Sequence, residues 1–404
     1  MITTDSLPVN GKAFPRFFVV LVAFAFVLAG HLFVLQRSAN PTVSYLEARG
    51  DSVAYAQMVE GQWRTMRVPF RYRVLVPLMA RALPLPPLDA LRAITYVSLF
   101  FCYVLILLTC RALDLSWLAA FAGLCAVFTS PWQLYQYNNP FIIDAFVLLM
   151  LCGMIYALAR GYFWLFLVCA VLGVLSKETV ILLVPAWFLA RERRRGLAVL
   201  ALALLAFLIP RYLMSGAAQP MSEAFFKTLR HNALFLGPGQ YLAEVVAAWG
   251  FLWPLLGLGA LLWPRRDGFN LTIVLALLLP ATFLTSLIVA DVGRMFTPLS
   301  LLVACACAQV AATLWQRGAG RWVYGLIGLS LLQAMFSIAP RVFFSAHPGV
   351  FHNNKLRLVV LLVGLLYTAG VAWQLRKDVA TTGHENLSEW WRELRERQAG
   401  LISH

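Results

Sequence analysis

Between Gly50 and Pro77 the chain reads GDSVAYAQMVEGQWRTMRVPFRYRVLVP, and Arg64, Arg67, Arg71 and Arg73 fall within ten residues of it. Guanidinium groups hold phosphate oxygens in a bidentate fork, best where water is partly excluded. Phe70 and Tyr72 stand among these arginines, and aromatic rings of this kind favour a membrane–water interface. One carboxylate, Asp51, precedes the run. A phosphate or diphosphate carried at a membrane surface suits this set. The plainer alternative is anionic headgroup binding without chemistry, which basic clusters beside membranes also perform.

The elements that must position these residues are apolar helices. The chain has 404 residues, 61% of them hydrophobic and 13% charged, with a mean hydropathy of +0.75. A soluble chain carries about a quarter charged residues. An all-α polytopic membrane protein is therefore expected, with about twelve transmembrane helices. The spans fall at 17–36, 93–110, 116–131, 142–159, 162–176, 179–190, 196–212, 241–263, 270–289, 297–315, 322–339 and 357–375. They form one transmembrane domain over 1–380, followed by a tail over 381–404. The run from Phe17 to Leu35 follows Lys12 and Arg16 but has no small-x-small cleavage site, so it reads as an uncleaved first span.

Short loops set the orientation. Arg111, Arg160, RERRR (Arg191 to Arg195), PRRD (Pro264 to Asp267) and QRGAGR (Gln316 to Arg321) all fall on one side, together with Arg376 and Lys377. The positive-inside rule makes that side and both termini cytoplasmic, in a cell inner (plasma) membrane. The long loops 37–92, 213–240 and 340–356 then face outward. Elaboration on one face marks where function resides. In the tail, NLSEWWRELRERQ pairs Glu389/Arg392, Arg392/Glu396 and Glu393/Arg397 at helical spacing, as an amphipathic helix on the inner leaflet would.

The net charge of +15 is spread over separate loops without a nucleic-acid-binding module, so it reads as attraction to anionic membrane lipid. All seven cysteines lie within apolar runs with no Cys-x-x-Cys pair, as small packing residues would. Oligomeric state has no signature in the sequence.

Charges near span ends are costly, and here they share the outer side. They are Asp144, Lys177, Glu178, Glu244, Asp291, Arg294 and Arg341, with His31 in the outer half of the first span. Convergence on an outer cavity competes with local ion pairs that close short turns. For neighbours Lys177 and Glu178 the two readings weigh equally, whereas Glu244 and Arg341 taken singly favour the ion pairs. The first outer loop reads as two interfacial amphipathic helices. Val53, Ala56, Met58 and Val59 form the apolar side of one, and Val74, Leu75, Leu78, Met79 and Leu83 that of the other.

The early loop with Asp51, then Tyr55, and PFRYRVLVP resembles the GT-C class of membrane glycosyltransferases. The nearest likeness is to the glycosylphosphatidylinositol mannosyltransferases and their bacterial relatives. VLGVLSKETVILLVPAWFLARERRR (Val171 to Arg195) is similar to the lysine-bearing turn and return span of that class, and GRMFTPLSLL (Gly293 to Leu302) to its late segment. The likeness covers about 300 residues as topology and three short patches as sequence. It implies a GT-C-like fold and transfer of a sugar from a polyprenyl-phosphate-linked donor at the outer face. It also implies a first-loop aspartate as base, here Asp51, with Asp144 a loose match to the second acidic position. No adjacent acidic pair follows the first span, so no metal site is expected and a divalent-metal requirement has no support.

The chemistry suits these residues. Inverting transfer needs a carboxylate to take the acceptor's proton and positive charge where the lipid phosphate leaves. Asp51 offers the first; Arg71, Arg73, Lys177 and Arg294 offer the second. A lipid-linked glycan polymerase or ligase would instead rely on Arg230, His231, His347 and His352. A transporter or flippase would favour midplane polar residues and repeated halves, and the sequence displays no repeat.

Overall fold

The computed structural model describes residues 16–38, 51–63, 66, 69–214, 237–263, 271–287, 293–343 and 354–380. Asp291, His231, His347, Arg230, His352, Arg64, Arg67 and the tail helix lie outside them. The described residues are all-helical, with no strand. In chain order the helices are α1 (Arg16–Ser38), α2 (Asp51–Val59), α3 (Leu75–Ala82), α4 (Pro87–Ala112), α5 (Trp117–Phe128), α6 (Pro131–Asn138), α7 (Asp144–Arg160) and α8 (Phe163–Ser176). There follow α9 (Pro185–Ala190), α10 (Arg193–Leu213), α11 (Gly237–Trp249), α12 (Leu252–Leu261), α13 (Leu271–Leu287), α14 (Ser300–Gln316), α15 (Gly320–Phe343) and α16 (Asn354–Ala380). Short 3₁₀ turns cover Phe70–Tyr72, Glu178–Leu183 and Gly293–Leu299.

Among the described residues, four helical stretches are long and apolar enough, by length and composition, to cross a bilayer: Pro87–Ala112, Arg193–Leu213, Arg294–Gln316 and Leu358–Lys377. α1 and α15 are also continuous helices, of 23 and 24 residues, and the remaining apolar segments are shorter or interrupted. Gly250 adopts φ +54°, a left-handed conformation that suits glycine, and divides the segment 241–263 into α11 and α12. Segment 179–190 is a 3₁₀ turn followed by the short α9 rather than one continuous helix.

The core is built on α14, which packs against α5, α12, α15 and α4. Its side chains from Ser300 to Leu314 are buried throughout. Small residues allow such close approach. A Cβ on Gly123 of α5 would collide with the backbone oxygen of Ala304, and one on Gly259 of α12 would come within 2.5 Å of the Ala306 oxygen. The α7–α8 pair uses the same device, since a Cβ on Gly153 would lie 2.5 Å from the Cys169 Sγ. On the outside, α10 exposes Leu197, Leu204, Leu208 and Ile209, and α16 exposes Leu358, Leu362 and Leu366. Water would penalise such an apolar exterior; lipid would not.

The loop arginines have structural work as well. Arg191 donates from Nε and Nη2 to the carbonyl of Leu158 and from Nη2 to that of Ala159, closing the last turn of α7. Arg111 donates to the Leu115 carbonyl and Arg317 to that of Leu375.

Glycine packing makes a paired expectation. Gly259→Ala forces two backbones apart and should cost about 1–3 kcal/mol, lowering the thermal unfolding midpoint of the detergent-solubilised chain. Gly257→Ala on the same helix meets nothing within 4 Å and should leave the midpoint unchanged or raised, because alanine favours helix.

Candidate functional site: a buried ion network

Four of the charged residues singled out in the sequence meet in one chain of contacts. Asp144 is the first residue of α7, where the positive end of the helix dipole favours a carboxylate. Lys177 follows α8 in extended backbone, φ −157° and ψ 131°, and reaches back to α7. Its Nζ donates to Asp144 Oδ1 at 3.0 Å. The close α7–α8 approach that Gly153 permits makes this reach possible. Arg294 enters from the 3₁₀ turn before α14 and donates from Nε to Asp144 Oδ2. From Nη1 it donates to Asp51 Oδ2 at 2.7 Å, joining residues 243 positions apart.

The two acids of this chain differ in access. Asp144 has both oxygens engaged and a side chain only 5% exposed, whereas the Asp51 side chain is 29% exposed. Buried carboxylates persist only when paired and hydrogen-bonded. Asp144 is thus a fixed counter-charge, and Asp51 is the acid partly open to solvent.

A second set of contacts lies alongside. Glu178 accepts from Arg73, at 2.5 Å from Nη2 and 3.1 Å from Nε, a bidentate pair. Arg73 Nη1 donates to the Tyr55 hydroxyl at 3.1 Å. Lys177 and Glu178 therefore pair with distant partners and not with each other. Burial pushes the Tyr55 phenol up to about 12, against the Arg73 and Arg294 charges that favour its ionised form. Tyr55 is neutral across the physiological range and acts as a hydrogen-bonding group. Burial opposes the charge of Arg73, but Tyr55 and Glu178 beside it outweigh that and hold it protonated above its usual range.

The first loop thus turns inward. α2 buries Ser52, Tyr55, Met58 and Val59 and leaves Val53 exposed. The expected apolar side, with Val53 and Ala56 in it, is shifted towards Tyr55, whose ring packs edge-on against Phe70 at 5.5 Å. α3 buries Val76, Pro77 and Ala80 and exposes Leu78, Met79 and Leu83, so part of its expected apolar side does face outward. Arg71 is buried with its guanidinium over the Tyr72 ring at 5.3 Å.

Arg211 approaches the same Tyr72 ring at 4.9 Å. Sequence reasoning missed it, although an arginine at the far end of a span from RERRR was a signal. His31 lies apart and bonds Tyr96 at 3.0 Å. Glu244 accepts from Gln240 within α11. Among the described residues, no group of three or more His, Cys, Asp or Glu is placed to hold a metal ion.

A cleft adjoins the network between α7, the 177–182 turn, α13 and the 294–298 turn. Asp144, Lys177 and Arg294 line one part of it, and Val147, Leu151 and Leu278 another. Leu151 stands two helical turns from Asp144, roughly 10 Å along α7. The cleft thus sets charged side chains beside apolar ones. Comparison with known families, curated proteins and solved structures found no match to this chain.

The pairing pattern predicts unequal costs. Asp144→Asn strands the buried Lys177 and takes one carboxylate from Arg294, and should cost about 3–5 kcal/mol, whereas Asp51→Asn, at a partly exposed site, should cost less than about 1 kcal/mol. Lys177→Met should recover part of the Asp144→Asn loss. Thermal unfolding of the two single variants and of the Asp144→Asn/Lys177→Met double variant in detergent measures all three effects.

Proposed function

We propose that this chain is a polytopic, GT-C-like glycosyltransferase of the cell inner membrane, with twelve spans and both termini cytoplasmic. It moves a sugar from a polyprenyl-phosphate-linked donor to an acceptor at the outer face. The observation that carries the reading is Arg294, which links the partly exposed Asp51 to the buried Asp144 and Lys177 beside a cleft lined by charged and apolar side chains. A base and a cationic pole side by side are what transfer from a lipid phosphate requires.

In this reaction the acceptor hydroxyl gives its proton to the Asp51 carboxylate. Its oxygen forms a bond to the anomeric carbon as the bond from that carbon to the phosphate oxygen breaks. The electron pair leaves with the polyprenyl phosphate, whose growing negative charge faces Arg294 and Lys177. Asp144 holds both cations in place. Arg73, held by Glu178 and Tyr55, fixes the first loop over the site, and Arg71 with Tyr72 supplies further positive charge at its edge.

Asp51→Asn keeps the shape of the side chain but cannot accept the proton. Sugar transfer should fall on the order of a hundred- to ten-thousand-fold, while Glu60→Gln, outside the network, transfers at the wild-type rate. Normal transfer by Asp51→Asn would remove the base assignment. The orientation has its own test. All seven native cysteines are buried, so cysteines introduced at positions 60 and 193 report alone. A membrane-impermeant maleimide should label position 60 and spare 193, and the opposite result would place the site on the cytoplasmic side.

A further inference from the structure

In the contacts among Arg294, Lys177, Asp144 and Asp51, two carboxylates are set against two cations. Carboxylates already seated on these cations weaken their pull on an arriving anion. Three of the four residues have side chains no more than 8% exposed, and only Asp51 opens to solvent. Asp51 is also the first residue of α2, where the helix dipole stabilises a carboxylate without help from Arg294. It is therefore the member that leaves at least cost. Its Oδ2, 2.7 Å from Arg294 Nη1, sits where an anionic oxygen of a ligand would be held.

We propose that the Asp51 carboxylate is the resident occupant of an anion subsite on Arg294, and that the phosphate of a single-chain phosphate ester replaces it there. The inference rests on the reading that Arg294 meets a phosphate headgroup. The apolar part of the adjoining cleft, with Val147, Leu151 and Leu278, receives the start of the chain. The exchange also has a catalytic consequence. Asp51 gives up its guanidinium partner when the phosphate arrives, so its lone pairs become available only with donor in place. Donor binding and exposure of the base are one event.

The exchange makes an unusual forecast for an anion site: removing the competing carboxylate strengthens binding. Farnesyl phosphate, titrated into the full chain in uncharged detergent, should bind Asp51→Asn about tenfold more tightly than wild type. That is the order expected when one unit charge is removed a few ångströms from a partly screened site. Asp51→Glu, which keeps the charge, should bind as wild type does, and farnesol should not distinguish the variants. Unchanged or weaker farnesyl phosphate binding by Asp51→Asn overturns the exchange. Inorganic phosphate should show the same preference for Asp51→Asn at far lower affinity. Equal affinity for inorganic and farnesyl phosphate would overturn the lipid assignment and make free phosphate the occupant.

Wild-type protein provides a check that needs no variant. Farnesyl phosphate should speed amide hydrogen exchange in the first turn of α2, and slowed or unchanged exchange there counts against the proposal. Sugar transfer is scored separately. Tighter binding by Asp51→Asn with its transfer rate intact would uphold the exchange and sink the base assignment. Lost transfer with unaltered affinity would do the reverse.

Discussion

One guanidinium, that of Arg294, holds carboxylates from two distant parts of the chain. Asp51 and Asp144 are 243 and 150 residues from it, and nothing local brings them together. Moving a charge of this size out of water costs several kcal/mol even after relaxation. The network exists only because four segments converge: the start of α2, the start of α7, the end of α8 and the turn before α14. Each convergence is prepared by packing in which side chains are nearly absent. Gly153 draws α7 to α8, while Gly123 and Gly259 let neighbours close on α14.

The same network separates two acids that composition alone would treat as equals. Asp144 spends both oxygens on Lys177 and Arg294 and is closed to solvent, so its contribution is the fixed field of a buried charge. Asp51 shares one cation and remains partly open. Environment, and not residue type, divides the roles between paired carboxylates.

The arginines also divide. Those at the far end of α7 and its neighbours close helix termini by donating to backbone carbonyls, as Arg191 does at Leu158 and Ala159. Those near the network meet side chains as well: Arg73 takes Glu178 and Tyr55, Arg71 and Arg211 lie over the Tyr72 ring, and Arg211 also donates to the Phe207 carbonyl. Tyr72 thereby gathers two cations at the edge of the site.

Much of this was legible in the sequence because it is local. Long apolar runs must be helical in an apolar surrounding, and the described residues of the expected spans are mostly helical, with breaks in 179–190 and 241–263. The residue types at the site were legible too, since charges near span ends stand out against an apolar background. Partnership was not. Lys177 and Glu178 are adjacent, yet extended backbone at Lys177 sends successive side chains to opposite faces, so one meets α7 and the other the first loop. The buried face of α2 centres on Tyr55 because Arg73 and Phe70 are there to receive it, and no periodicity within residues 51–63 encodes that. Gly250 interrupts a run that hydropathy alone makes continuous. Sequence by itself determined which segments are helical and which residues carry charge at their ends. Only the tertiary structure decided which acid is paired off and which is left partly open to solvent, because that depends on distances between helices far apart in the chain.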